Sequence, residues 1–481
     1  MRERELKLEI AVGAPVPLPD LEEAEARDLR AVYYDTADLR LARLGATLRH
    51  RDDEGWMVKL PGPSDGALMD RHEVRFDGSS LPPSDPPPGA TALVSSLTRG
   101  APVVPVAELC THRRTVRLGV GELADDHVVA RDPSGAPLGE FREIELELAA
   151  SANVAAVEDV VARLRAGGAG SAEGMPKLVR VLGPRAAAPA DVEPPTLVDE
   201  PTLREVIQHA LMTSMRALVV RLPGTRLDDD PEDVHQARVA IRRFRSHLRT
   251  FDPVMDPRWS EVLDCDLARL GGALGDVRDL DVLLATIEPM PLEGPGHLEL
   301  LAALETERDR ALERSLDMLD DPACLDVLDR LVDAAADPRL APQADDAARP
   351  MLPFFVARPW RRLRKAVRRL DEPPSDAALH GVRIRAKRAR YAADAVRPIV
   401  GAPAARLADR LADLQDALGE LNDAVVITAR LEALMPLLTS AGGFTAGRVS
   451  GILTDRALEH RSAWRAAWKR VDRRAVTAWL R

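Results

Sequence analysis

Cysteine is scarce in this chain of 481 residues: Cys110, Cys265 and Cys324 are all there is. Three widely spaced thiols exclude a disulfide framework and a Cys-based zinc site, and point to a reducing compartment. Aromatic residues are scarce too, at 3% against a hydrophobic share of 46%. Alanine, leucine and valine must therefore fill the cores. No apolar run reaches the roughly 18 residues that a membrane-spanning helix needs. The amino terminus is charged from Arg2 onward, unlike a secretory signal. The chain reads as soluble and cytoplasmic, with no membrane partner. A formal net charge of −11 argues against indiscriminate binding to nucleic acid. The length excludes a single ordinary domain, so two or three are expected.

What is present begins with an alternation. Glu3, Glu5, Lys7 and Glu9 take every second position of the opening stretch, and Leu6, Leu8 and Ile10 take the others. A strand turns successive side chains to opposite faces, so one face is charged and the other apolar. Two carboxylates spaced this way can share a hard divalent cation, with the lysine further along the same wall. After a break at Pro15 to Pro19, Leu21 to Ala31 reads as a short acidic helix, and Val32 to Thr36 as a short strand and turn.

The same alternation returns several times. Thr47 to Arg51 places Arg49 and Arg51 on one side, and Trp56 to Leu60 returns across a turn with Lys59. Arg71, Glu73 and Arg75 share a face. Arg113 and Arg117 share another, with Arg114 opposite. Leu123 to Val129 offers Asp125 or Asp126, and Glu143, Glu145 and Glu147 mirror the first strand. Acids thus sit on the outer strands of the segment, with bases mostly on the middle ones. Unpaired ions buried dry cost several kcal/mol each, so these charges require water, counter-charges or a ligand. Pattern alone allows a solvated antiparallel sheet as readily as a closed barrel with a wide polar interior.

This region resembles the CYTH family, or triphosphate tunnel metalloenzymes. The residues that carry the likeness are Glu3-Arg-Glu-Leu-Lys7, Tyr33-Tyr-Asp-Thr36, and Arg40 to Arg51. The Lys59 strand, Arg71 with Glu73, the Glu143 strand and Pro176-Lys-Leu-Val-Arg180 follow in order. The resemblance implies an eight-stranded antiparallel β-barrel tunnel with outer helices over residues 1–183. Members of that family hydrolyse inorganic triphosphate, thiamine triphosphate or RNA ends, or cyclise ATP. It further implies Glu3, Glu5, Glu143 and Glu145 as ligands of Mg²⁺ or Mn²⁺. Lys7, Lys59 and Arg51 would be catalytic, and Arg49, Arg71, Arg113 and Lys177 would bind substrate. Glu147, Glu73 and Asp125 are second choices that orient arginines or bind metal, and Glu9 is a rim residue. Phosphoryl transfer needs charge neutralisation and positioning more than covalent help, which suits this set.

From Gly183 to Pro201 the chain is rich in Pro and Ala, read as a linker over 184–200. Beyond it the 3.6-residue period takes over, so the fold class is α+β multidomain with an all-α carboxy-terminal part. Residues 201–481 hold an internal repeat, about 201–340 and 341–481. His235 to Arg245 matches His380 to Arg390 without a gap, and Ala268 to Asp279 matches Ala412 to Asp423. On a helical wheel His235, Arg238, Arg242, Arg245 and Arg249 form one stripe, and His380, Arg383, Lys387 and Arg390 form another. Like charges at this spacing repel by about 0.2–0.5 kcal/mol per pair, which acidic neighbours or a bound polyanion must offset. Arg278-Asp279 and Asn422-Asp423 read as partners orienting the stripes.

This half resembles the CHAD domain, a histidine-containing α-helical domain of two similar helical halves that binds inorganic polyphosphate. The two His-x-x-Arg stripes and the two Leu-Gly-x-x-[Arg/Asn]-Asp elements carry the likeness. It implies His235, Arg238, Arg242, Arg245, His380, Arg383, Lys387 and Arg390 as polyphosphate ligands. Arg461, Arg465 and Lys469 are candidates for the rim, unless Trp464 and Trp468 pack their helix down. The near absence of aromatics from the stripes argues against stacked bases and for a bare phosphate chain. Inorganic triphosphate and polyphosphate are thus the expected partners, with polyphosphate granules as a further expected location.

Overall fold

In the computed structural model, residues 2–16, 24, 26–62, 68–76, 85–149, 151–171 and 176–481 are described. Side chains are not described for 2–5, 68–71, 171, 420–423 and 459–460. The chain divides into two units, Met1–Asp191 and Val192–Arg481.

Alternating sequence builds the first unit. Its strands are β1 (Arg2–Ile10), β2 (Ala26–Asp35), β3 (Thr47–Arg51), β4 (Gly55–Pro61) and β5 (Leu68–Phe76). After them come β6 (Val104–Leu118), β7 (Gly121–Arg131), β8 (Pro137–Leu148) and the two-residue β9 (Gly170–Ser171). They pair antiparallel in the order β5-β4-β3-β2-β6-β7-β8-β1-β9. Strand β1 pairs with β8 from Glu5 onward and with β5 through its first half, so eight strands close into a barrel. Closure removes sheet edges and gives every strand an inner and an outer face.

The outer faces are apolar. Leu8, Ile10, Leu123, Ile144 and Leu146 pack on Val160 and Leu164 of the helix Val154–Ala166. Trp56, Val58 and Leu48 are fully buried on the far side, where the helix Pro88–Thr98 packs on β4. One end of the interior is closed by apolar packing. Tyr33, Ala107, Leu109, Val128, Ala130 and Phe141 meet Leu178, Val179 and Val181 of the helix Lys177–Leu182. Each large aliphatic so buried contributes about 1.5–3 kcal/mol. That helix sets Lys177 at the inner end of the charged bore.

One expectation changes here. Ala26 to Ala31 belongs to a ten-residue strand rather than an acidic helix, because Ala26 to Asp35 pairs along β6. The earlier part of that expected helix, 21–23 and 25, lies outside the described residues. Asp35, at the end of β2, has a structural task. One of its oxygens accepts the amides of Thr36 (2.7 Å) and Leu41 (2.9 Å), and the other that of Ala42 (2.9 Å). These bonds hold the turn into the short helix Arg40–Arg43. Burial still pushes the Asp35 carboxyl up to about 6 against the pull of those amides. Asp35→Ala leaves buried donors unpaired at a cost of about 1–3 kcal/mol each. A lowered urea midpoint for the first unit checks this.

Among the described residues, five short or covering helices complete the first unit. They are α1 (Arg40–Arg43), α2 (Pro88–Thr98), α3 (Val154–Ala166), α4 (Lys177–Leu182) and α5 (Pro184–Ala187). The second unit is helical. Its first half holds α6 (Leu203–Leu227), α7 (Pro231–Phe251), α8 (Pro257–Ile287), α9 (Pro295–Asp320) and α10 (Pro322–Ala336). Its second half holds α11 (Ala348–Val367), α12 (Asp376–Val400), α13 (Ala402–Ala417), α14 (Gly419–Leu434), α15 (Ser440–His460) and α16 (Ala463–Val471). Thr202 caps α6 through a reciprocal bond pattern with Glu205.

Equivalent helices pack on each other, α7 on α12 and α9 on α15. Thr202 and Ala347, just ahead of α6 and α11, form an antiparallel bridge. The Leu203 amide donates to the Asp346 carbonyl (3.0 Å) and the Ala348 amide to that of Pro201 (2.9 Å). The separation of Thr202 from Ala347 equals that of His235 from His380, so the bridge joins equivalent positions of the sequence repeat.

Parts of the Pro- and Ala-rich stretch are bonded to the unit they belong to. Arg99 pairs with Asp191 and Arg43 with the Pro189 carbonyl, while Glu193 pairs with Arg216 at 2.9 Å. No helix among the described residues is long and apolar enough to cross a membrane.

Candidate functional site

The inner faces of the barrel strands enclose a cavity of about 470 Å³. Lys7, Arg49, Arg51, Lys59, Arg113, Lys177 and Glu145 all line it. Period-two alternation brings them together: Lys7 faces Glu145 across β1–β8, and Arg113 faces Asp126 across β6–β7. Lys59 faces Thr47 on one side and Glu73 on the other. Glu3 and Glu5 hold strand positions opposite Arg71 and Glu147, but the side chains of Glu3, Glu5 and Arg71 lie outside the described residues.

One wall is a dense ionic cluster. Arg113 forks onto Asp126 at 2.7 and 2.6 Å and reaches Glu145 at 2.7 Å. Lys7 pairs with Glu145 and lies 3.6 Å from Glu143. Lys177 pairs with Asp126 and lies 3.4 Å from Glu143 and 3.2 Å from Glu145. Asp126, Glu143 and Glu145 are buried, with exposures of 0, 1 and 6%. Burial raises the carboxyl of Glu145, yet Lys177, Lys7 and Arg113 together hold it well below the usual range. At Glu143 burial prevails over the two lysines and its carboxyl is raised. Its Oε1 is buried and accepts no hydrogen bond among the described residues.

The opposite wall is built by β3 and β4. Arg51 donates to Asp53 at 2.6 Å and pairs with Glu54. Arg49 and Arg75 approach the same Glu54 at 3.6 and 3.5 Å. Arg49 also reaches the Tyr33 hydroxyl at 3.4 Å, and Lys59 pairs with Glu73. Burial alone would raise the Tyr33 phenol, but Arg49, with Lys177 and Lys59, more than reverses that. One turn carboxylate therefore competes for three guanidinium groups that an anion would want. Glu54→Gln is expected to lower KM for an anionic substrate about two- to fivefold, the scale of a surface-type ion pair. Steady-state kinetics of the variant check it.

Of the Arg113–Arg114 pair, Arg113 faces the cavity. Asp125 turns away and forks onto Arg142 at 2.7 Å, so the acid on the inner face is Asp126. Glu147 and Glu73 line the cavity, and Glu9 is half-exposed beside Arg180 at 3.2 Å. Arg27, Asp53 and Glu54 line it as well, which sequence reasoning does not indicate. For Asp126 a signal exists: Glu122, Ala124 and Asp126 run in phase opposite Glu147, Glu145 and Glu143.

In the helical unit the two stripes converge where α7 packs on α12. Arg238 is held by Asp279 (2.8 Å) and the Gly275 carbonyl (2.9 Å), and Arg245 forks onto Asp264 at 2.9 and 3.1 Å. Asp264 also takes Arg249 at 3.1 Å. Arg390 lies against the Tyr391 ring. The buried Nε donors of Arg242 and Arg383 have no hydrogen-bond partner among the described residues. Burial, together with Arg242, Arg383, Arg390 and Arg238, pushes Lys387 down to about 8. His235 is lowered by burial and then by Arg278. His380 is exposed on α12, and the side chains of Asn422 and Asp423 lie outside the described residues. Arg461 and Arg465 instead pair with Asp376 (2.8 Å) and Glu372 (2.5 Å). Trp464 is buried and Trp468 stacks on Trp360.

Fold and cavity thus define a closed antiparallel barrel with an ionic bore, followed by a helical unit of two related halves. The CYTH domain model matches residues 1–178 and the CHAD domain model residues 209–432. The chain belongs to the proteins that carry a CYTH domain followed by a CHAD domain. Uncharacterized proteins from two Mycobacterium tuberculosis strains, CDC 1551 and H37Rv, are each 28% identical over 495 residues. Those alignments cover 94% of this chain and 91% of the relative. Among solved structures, the CHAD domain from the plant Ricinus communis is 27% identical, at a TM-score of 0.47 over 61% of this chain and 96% of its own. PptA from Streptomyces chartreusis is 23% identical, at a TM-score of 0.45 over 56% of this chain and 100% of its own.

Proposed function

We propose that the barrel hydrolyses inorganic triphosphate, or a closely related triphosphate, with a divalent cation, and that the helical unit binds inorganic polyphosphate. The observation that carries the first part is the convergence of Lys7, Arg49, Arg51, Lys59, Arg113 and Lys177 on one cavity with Glu145. Among the described side chains, eight bases and six acids line that cavity, and buried Glu143 and Asp126 stand behind them. Those described charges balance among themselves, with Glu3, Glu5 and Arg71 not counted. A triphosphate brings several more negative charges, which calls for a cation alongside it.

Glu143 and Glu145 fit that cation, since Glu143 keeps a buried oxygen without a hydrogen bond beside a second carboxylate. Among the described residues no three acids, histidines or cysteines converge as a complete cage. Mg²⁺ in such sites takes one or two carboxylates and fills its shell with phosphate oxygens and water, so an incomplete cage suits it. Glu3 and Glu5 are proposed to complete the set. When bound, Mg²⁺ or Mn²⁺ would neutralise phosphate charge and lower the pKa of the attacking water. Arg49, Arg51 and Arg113 fork onto phosphate oxygens, while Lys7, Lys59 and Lys177 act as point charges that orient the chain for in-line attack. Arg71 is assigned to the same clamp.

Phosphate release from triphosphate, ATP and thiamine triphosphate, with Mg²⁺ and with chelator, tests this reading. Metal-dependent release that is fastest on inorganic triphosphate is expected. No release from any of the three would leave the barrel without this activity.

The unpaired Arg242 and Arg383 donors, with Lys387 among them, support the polyphosphate part. His235, Arg238, Arg245, His380 and Arg390 are assigned to the same groove. Because burial and the neighbouring arginines push Lys387 down to about 8, it loses charge as pH rises through that value. Polyphosphate affinity should therefore fall between about pH 7 and 9, and the fall should be smaller in Lys387→Ala. Calorimetric titration at fixed ionic strength checks it. For stability without ligand the sign is opposite, because the unfolded lysine binds its proton more tightly and folding gains as pH rises past about 8.

A further inference from the structure

The basic run Trp360-Arg-Arg-Leu-Arg-Lys365 is not accounted for by the two stripes. It lies on α11, and with α12 it walls a separate cleft of about 650 Å³. Arg362, Lys365, Arg369, Arg385 and Arg388 are its charged lining, and among the described residues no acid lines it. None of these five forms an ion pair among the described residues; Arg385 only donates to the Gly381 carbonyl at 2.7 Å. Between the cations, Ala366, Leu370, Ala377 and Val382 supply an apolar floor.

On α12 this face is distinct from the stripe. At 3.6 residues per turn, Gly381, Arg385 and Arg388 point about 150° away from His380, Arg383, Lys387 and Arg390. The cluster is also a feature of the second half. At the equivalent positions of the first half stand Ala217, Val220, Gly224 and Ala240, in place of Arg362, Lys365, Arg369 and Arg385; Arg388 alone has a basic counterpart, Arg243. The repeat therefore does not require it. An adjoining cleft shares Arg362 and Arg388 but is lined by Asp252, Glu261 and Asp264, which bounds the cation-only region. In a chain of net charge −11, five uncompensated cations around one cleft need an anion.

We propose that this cleft is a second anion site that takes a compact oligophosphate group, either a free short chain or a segment of a long one. Four guanidinium groups present forked donors suited to phosphate oxygens, and the lysine adds a point charge. The site needs nothing from the barrel and lies apart from the α7–α12 groove.

Acetylation footprinting of Lys365 in the full chain, read by mass spectrometry, tests it. The arms are tripolyphosphate, long-chain polyphosphate, and sulfate at matched ionic strength, all with chelator present. Several-fold slower acetylation of Lys365 with tripolyphosphate supports a site for short chains. Slower acetylation with the long chain alone supports passage of one polymer over both faces. Arg385→Ala/Arg388→Ala should abolish that protection while circular dichroism stays unchanged. Equal rates with and without both phosphates would overturn the proposal. So would equal protection by sulfate, or protection that survives the double substitution.

Discussion

Glu145→Gln is expected to lower metal-dependent triphosphate turnover by about 100-fold or more, equivalent to at least about 2.7 kcal/mol in the transition state. The substitution keeps the shape of the side chain and removes its charge. Glu145 is the acid that Lys7, Arg113 and Lys177 all approach, and it is proposed to hold the cation. Losing it weakens cation binding and leaves three clustered cations with two carboxylates, Asp126 and Glu143. Those cations then hold the ground-state phosphate chain in place of the metal. The expected signature is a fall in kcat with KM unchanged or lower, partly relieved by excess Mn²⁺. Asp125→Asn serves as the control, since Asp125 pairs with Arg142 on the outer side of the strand. It should leave kcat within about twofold, as substitutions that spare the reacting groups do.

The second large effect belongs to the helical unit. Arg242→Ala/Lys387→Ala removes one cation from each stripe where the two stripes meet. Binding of long-chain polyphosphate should weaken by about 10- to 100-fold at moderate salt. The plot of log affinity against log salt should become shallower by about one for every phosphate that the variant no longer neutralises. Arg249→Ala, whose partner is Asp264, should change the slope little. An unchanged slope in the double variant would place the chain elsewhere. Stability is expected to hold or rise, because the variant relieves repulsion at a site where Lys387 is already driven toward its neutral form.

Much of this was legible in the sequence because period two and period 3.6 are written in charge here, not only in hydropathy. Glu143, Glu145 and Glu147 alternate with Ile144, Leu146 and Leu148, so the inner face could be assigned without knowing the pairing. The bore's bases follow the same logic. What escaped was decided by partners distant in sequence. Leu21 to Ala31 reads as an acidic helix on the strength of Glu22, Glu23 and Glu25, and only pairing along β6 makes Ala26 to Ala31 strand. Asp125 and Asp126 are adjacent, and choosing between them needs the register against Arg113 and Glu143. Asp53 and Glu54 look like ordinary turn residues until the hairpin folds them over Arg49 and Arg51. The stripes were readable as stripes, but their counter-charges Asp264 and Asp279 come from α8, and a wheel drawn for one helix cannot show them.

A crystal structure with tripolyphosphate and Mn²⁺ would show whether the bore holds the substrate. Anomalous density for manganese is expected beside Glu143 and Glu145, with the phosphate chain lying in the bore between Lys7, Arg113 and Lys177 on one wall and Arg49, Arg51 and Lys59 on the other. Manganese or phosphate bound only outside the barrel, with the bore closed by its own ion pairs, would contradict it.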